Sequence, residues 1–216
     1  MAPRIVIIDY HKGNLLSVAR SLSDVGAEVE ITDDPGKIAA AEALVLPGVG
    51  SFEDAMGFLG ESGEGAALVD ALTRKVPFLG ICLGEHLIME GGDEAGSGWC
   101  EGLGVVEGTV RRLDDSTLKV PHVGWDQLEL TDVGRSCPLF AGVADGAHVY
   151  FTHSYALSDD VDPGVVAART DYTRAFPSAI WDGDTLFAVQ FHPETSSTVG
   201  LRILENFVRL VQGGGA

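Results

Sequence analysis

Val76-Pro77-Phe78-Leu79-Gly80-Ile81-Cys82-Leu83-Gly84 is the stretch on which the reading of this chain turns. An apolar run ends in a cysteine set between two glycines, the cysteine form of a nucleophile elbow. In an elbow a strand turns sharply into a helix, with the nucleophile at the tip. Flanking glycines tolerate the strained backbone and leave room for a substrate. Cys82 is then at the N-terminus of a helix starting near Glu85, where the helix dipole favours a thiolate. The backbone N–H of Leu83 would point at a developing oxyanion.

The segments before the elbow set its context. Ile5-Val6-Ile7-Ile8 is a continuous β-branched run, the mark of a strand covered on both faces. Leu15, Leu16, Val18, Ala19, Leu22 and Val25 recur at helical spacing, with Gly26 as a C-terminal stop. Val29–Thr32 and Ala43–Leu46 read as strands, the second running into Pro47-Gly48-Val49-Gly50, and Ala66–Leu72 reads as helix. This alternation predicts an α/β fold with a mostly parallel central sheet flanked by helices.

The pattern changes after Gly91. Gly91–Gly98 reads as a loop, and Gly104–Leu113, Gly124–Leu130 and Val149–Leu157 read as short strands. Ala179–Trp181 and Thr185–Phe191 flank Asp182-Gly183-Asp184, a hairpin signal. The C-terminal half therefore adds antiparallel strands. Leu201, Leu204, Phe207, Val208 and Val211 give a closing helix one apolar face, and Gly213–Ala216 is expected to fray. With no repeat and no linker, residues 1–216 are expected to form a single domain.

A second motif, Phe191-His192-Pro193-Glu194, supplies what a cysteine nucleophile needs. His192 is the candidate base, placed at the sheet edge where Pro193 ends the strand. Glu194 is in position to hold the imidazole tautomer, completing a Cys82, His192, Glu194 triad. Among the other histidines, His11 and His148 read as loop positions, His122 precedes a strand, and His153 could line the site. No histidine has metal-ligand spacing to a partner, so neither a metal nor another cofactor is expected. Cys82, Cys100 and Cys137 are too few and scattered for a disulfide framework, and the latter two read as structural.

Composition bounds the alternatives. The 216 residues are 45% hydrophobic and 21% charged, with a formal net charge of −18. Nucleic acid and anionic membranes are poor partners for such a chain, because phosphate binding needs clustered Lys and Arg. No apolar run approaches the roughly 20 residues of a membrane helix. Met1-Ala2-Pro3-Arg4 has no signal-peptide architecture, so a cytoplasmic location is expected.

The motifs together resemble the class I, triad-type glutamine amidotransferases, and most closely the glutaminase subunits of imidazole glycerol phosphate synthase. The resemblance rests on Asp9-Tyr10 with Gly13-Asn14-Leu15, Pro47–Phe52, Gly80–Gly84, Pro121-His122 with Gly124-Trp125, His153-Ser154-Tyr155, and Gln190–Glu194 with Ser196. It implies a flavodoxin-like fold and a γ-glutamyl thioester on Cys82. It also implies an oxyanion hole from Val49, Gly50 and Leu83, with a peptide at Val49-Gly50 that reorients before it donates. Gly48, His86, Ser154 and Tyr155 would bind glutamine. The ammonia would pass to a TIM-barrel cyclase subunit in a heterodimer, for histidine biosynthesis.

The chain departs from the family pattern in three places. Where the family usually reads Cys-Leu-Gly-Met-Gln, this chain has Cys82-Leu83-Gly84-Glu85-His86, and Thr195 replaces a usual lysine. His86 retains a hydrogen-bond donor with a different reach. A charged Glu85 would repel the substrate's α-carboxylate if the two are close. These departures leave open a paralogue feeding ammonia to a different synthase, a non-catalytic regulatory or scaffold subunit, and a free-standing cysteine hydrolase.

Overall fold

The structure, a computed structural model, describes residues 2–213. In chain order the elements are β1 (Arg4–Ile8), α1 (Leu15–Asp24), β2 (Glu28–Thr32), α2 (Pro35–Ala39), β3 (Leu44–Gly48), α3 (Phe52–Ser62) and α4 (Glu64–Thr73). The elbow strand β4 (Phe78–Cys82) leads into α5 (Leu83–Leu87), β5 (Met89–Gly92), β6 (Cys100–Glu101), β7 (Val106–Arg112) and β8 (His122–Leu130). The chain closes with α6 (Asp132–Ser136), β9 (Ala147–His153), β10 (Tyr155–Leu157), β11 (Val166–Asp171), β12 (Ala175–Trp181), β13 (Leu186–Val189) and α7 (Ser197–Gly213).

One nine-stranded sheet runs β2-β1-β3-β4-β13-β12-β11-β8-β9. The first five strands are parallel neighbours and the remaining pairings are antiparallel. The parallel part has the strand order of a flavodoxin-like doubly wound sheet. Alternate residues of β1 explain its unbroken apolar run. Ile5 and Ile7 enter a core shared with Val18 and Leu22 of α1 and Phe207 and Val208 of α7. Val6 and Ile8 enter a second core with Phe52, Leu59 and Leu68 of α3 and α4. A strand buried on both faces has no polar side to show. A smaller four-stranded sheet, β10-β7-β5-β6, borders the second core through Met89, Val110 and Leu157.

Several expectations are corrected. Val149–Leu157 is two strands in different sheets, broken at Ser154. Gly91 and Gly92 belong to β5, so the loop is shorter than read. His148 lies in β9 rather than in a loop. Strand β13 lies between β4 and β12, so His192 follows the C-terminal end of an interior strand and is not at a sheet edge. The elbow helix begins at Leu83, not near Glu85. Leu16 and Leu201 are exposed, and Ile203 takes a core position on α7. Gly213 ends α7, and the rest of the expected frayed tail lies outside the described residues. No helix among the described residues is long and apolar enough to cross a membrane.

Candidate active site

Three adjacent parallel strands, β3, β4 and β13, bring the nominated residues to one end of the sheet. Gly48 of β3 is paired in register with Cys82 of β4, and Val189 of β13 with Ile81. The loop after β3 carries Val49 and Gly50, the turn after β4 carries Cys82 and Leu83, and the segment after β13 carries Gln190, His192 and Glu194.

The elbow is strained as its sequence requires. Cys82 has φ 53° and ψ −109°, a conformation that costs a non-glycine residue energy and persists only where the surroundings impose it. The flanking glycines supply that surrounding. A Cβ on Gly84 would lie 1.8 Å from the Leu46 carbonyl oxygen, and one on Gly80 would lie 2.8 Å from that of Gly84. Neither position admits a side chain while strand and helix remain this close.

His192 and Glu194 meet as their spacing predicts. His192 Nδ1 donates to Glu194 Oε1 at 2.9 Å, and both side chains are buried. The backbone of His192 is pinned to β9, with its N–H on the Tyr150 carbonyl at 2.9 Å and its own carbonyl accepting from Ser196 Oγ at 2.6 Å. Its Nε2 is buried and makes no hydrogen bond among the described residues. Burial works against a charged ring. The nearby Cys82 sulfur and the hydrogen-bonded Glu194 carboxylate outweigh it, lifting the His192 pKa to about 10. The His192 ring is therefore held in its charged form at neutral pH.

A cavity of about 180 Å³ opens onto the cysteine. Val49, Gly50, Cys82, Leu83, His86, Glu94, Thr152, His153, Ser154 and Tyr155 line it. Gly48 is behind this wall, where a Cβ would be 2.1 Å from the Tyr10 hydroxyl and 2.8 Å from Leu83 Cβ. Tyr10 is thus the floor under the Pro47–Gly50 turn. The break between β9 and β10 falls at Ser154, and Ser154 and Tyr155 line the cavity wall.

Glu94 is the functional candidate that the sequence reading passed over. Among the described residues it is the one carboxylate on the cavity wall, held by the Phe52 N–H at 3.2 Å, and burial raises its pKa. Glu85, by contrast, is fully buried and off the wall, and neither oxygen has a partner among the described residues. Burial first, and then the Cys82 charge, push its carboxyl well above the usual carboxylate range. Glu85 is therefore a core carboxyl pushed toward its neutral form, and it does not line the cavity in which a substrate's α-carboxylate would lie. Thr195 is exposed on the turn after Glu194. Cys100 is half-buried, and Cys137 is buried in the first core with burial raising its pKa to about 12.

A doubly wound sheet with a strained cysteine elbow, a neighbouring His–Glu pair and a cavity over the sulfur is the arrangement that a cysteine-nucleophile α/β enzyme would need. The family model for class I glutamine amidotransferases matches residues 6–211, and the chain belongs to that family. Among its relatives, the imidazole glycerol phosphate synthase subunit HisH of Chloroflexus aurantiacus is 46% identical over 205 residues, covering 95% of each chain. The subunit of the same name from Halobacterium salinarum is 45% identical over 94% of this chain and 92% of that one. The solved structure of PurLQS from Thermotoga maritima superimposes with a TM-score of 0.74 at 16% identity, covering 99% of both chains. The Trypanosoma brucei CTPS glutaminase domain with bound acivicin superimposes with a TM-score of 0.69, also at 16% identity, over 100% of this chain and 95% of that one. At these identities the superpositions establish the fold alone.

Proposed function

We propose that this chain is a glutaminase, the ammonia-generating subunit of an imidazole glycerol phosphate synthase in histidine biosynthesis. The observation that carries this reading is the buried His192–Glu194 pair beside a strained Cys82 at the mouth of a cavity sized for an amino acid. The full-length relatives named as HisH subunits supply the pathway.

In this reading Cys82 Sγ attacks the side-chain carbonyl carbon of glutamine. A C–S bond forms, the C–N bond breaks, and His192 gives its proton to the departing ammonia. Water, deprotonated by His192, then cleaves the thioester to glutamate and restores the thiol. The Leu83 N–H and a reoriented peptide at Val49-Gly50 stabilise the oxyanion. Ser154, Tyr155 and His86 contact the amino-acid end, and Gly48 keeps the oxyanion turn close to the elbow.

Glu94 meets the substrate's α-ammonium, since no other carboxylate among the described residues reaches the cavity wall. Glu94→Gln should therefore raise the KM for glutamine about 10- to 100-fold, the worth of a charge-assisted hydrogen bond, with a smaller change in kcat. Steady-state kinetics separate the two, and an unchanged KM would remove Glu94 from the binding set.

The acceptor of the ammonia is a TIM-barrel cyclase on a separate polypeptide, joined in a cytoplasmic heterodimer. Val123 and Trp125 of β8 support a docking surface, for both are more than half exposed and lie two residues apart on one strand face. The test is glutamate release with and without the cyclase subunit and its nucleotide substrate. Release that rises with the partner present supports the synthase reading. Full activity without any partner would favour a free-standing hydrolase.

A further inference from the structure

The fully buried side chain of Gln190 bridges His86 and the nucleophile. Gln190 Oε1 is 2.8 Å from His86 Nε2, and Gln190 Nε2 donates to Cys82 Sγ at 3.7 Å. The backbone of Gln190 is fixed by its N–H on the Ser178 carbonyl at 3.0 Å, which sets the side chain's point of departure beside the sulfur. His86 Nδ1 is buried with no partner among the described residues. The only interaction that selects a His86 tautomer is therefore the one with Gln190.

We propose that Gln190 is a catalytic residue that presents an N–H to the Cys82 sulfur, and that His86 is the positioning residue that fixes which end of the amide faces it. The inference deepens the glutaminase reading and rests on it for the identity of the reaction. An amide oxygen only accepts, so the observed contact requires the His86 proton on Nε2. That leaves both amide hydrogens of Gln190 free, and one of them meets the sulfur. Moving the His86 proton to Nδ1 makes Nε2 an acceptor and forces the amide to turn over. The sulfur would then face an oxygen, which suits a thiol S–H and repels a thiolate. The imidazole stays neutral throughout, because burial drives its pKa down to about 4. The Nε2-protonated tautomer of His86 is thus tied to an amide N–H facing the sulfur.

The test uses the full-length protein and two readouts that need no glutamine turnover. The first is the two-bond 15N–1H spectrum of histidine-labelled protein, with the His86 signals assigned by their loss in His86→Gln. It should show the proton on Nε2. The second is the rate of Cys82 alkylation by iodoacetamide at neutral pH. It should fall about 10- to 100-fold in Gln190→Met, and by a similar factor in His86→Leu. It should recover in His86→Gln, whose amide can donate to the same oxygen. The KM for glutamine should stay unchanged in Gln190→Met, because Gln190 is not on the cavity wall. A His86 proton on Nδ1 in the unmodified protein, or an alkylation rate unaffected by His86→Leu and Gln190→Met, would overturn the proposal. Should Gln190→Met fail to fold, the wild-type tautomer still decides. A chain that passes both readouts yet releases no glutamate would retain this arrangement and lose the glutaminase reading.

Discussion

Cys82→Ala should lower glutamate release from glutamine by at least about 10⁴-fold, because it removes the atom on which the proposed reaction carries the acyl group. The oxyanion donors and cavity remain, so glutamine still binds, and the loss falls on kcat rather than KM. Cys100→Ala and Cys137→Ala are the controls. Cys137 is buried in the core with its thiol pushed up to about 12 by burial, and Cys100 is not on the cavity wall. Both controls should keep wild-type turnover per folded molecule. Alanine is the informative replacement, since serine would leave a weak nucleophile in a turn still strained at φ 53°. Substantial glutamine hydrolysis by Cys82→Ala, measured as glutamate formed with and without the partner subunit, would remove the nucleophile from the account.

Glu194→Gln comes next in size, with an expected fall in kcat of about 10³-fold. The amide can still accept from His192 Nδ1 through its oxygen, so the ring can keep its place. What disappears is the negative charge that stabilises the imidazolium. The pH dependence makes this prediction specific. The His192 pKa is raised from 6.5 to about 10, so its contribution to stability is complete below about pH 6.5. That contribution is lost as pH rises through about 10. In the proposed reaction this same proton passes to ammonia, so the alkaline limb of kcat/KM in the native protein should fall near pH 10. In Glu194→Gln one of the two groups that hold up this pKa is gone, and the limb should move toward neutrality. A variant with lower kcat and an unmoved alkaline limb would assign Glu194 a steric role only.

The legible parts of this protein are those whose physics is local. The elbow can be read because Gly80 and Gly84 answer to clashes within the turn itself and against the neighbouring strand. The His192–Glu194 contact can be read because it joins residues two apart. The hairpin at Asp182-Gly183-Asp184 forms between β12 and β13 for the same reason. Helix α3 went unread although Ser51 caps it by accepting from the Asp54 N–H, since Gly57 and Gly60 blur its periodicity. Strand β11 went unread as well, in a half whose strands are short.

Distance in sequence hid the rest. Gln190 and His86 are 104 residues apart, and nothing near either residue in sequence announces the other. Glu94 had no distinguishing mark in a chain with 32 acidic residues. It becomes singular only when the fold sets it alone on the cavity wall. Glu85 is the reverse case. Its acidic side chain was legible and its burial was not, and burial places it in the core, off the cavity wall where a substrate would sit. Ser154 marks a third limit, where a continuous strand-like segment crosses from one sheet to another.

The most direct test of the account is the intact mass of the protein quenched in acid during glutamine turnover, followed by peptide mapping. The account predicts a γ-glutamyl thioester on Cys82 alone, absent from Cys82→Ala. Glutamate release with no adduct on Cys82, or an adduct on Cys100 or Cys137, would contradict it.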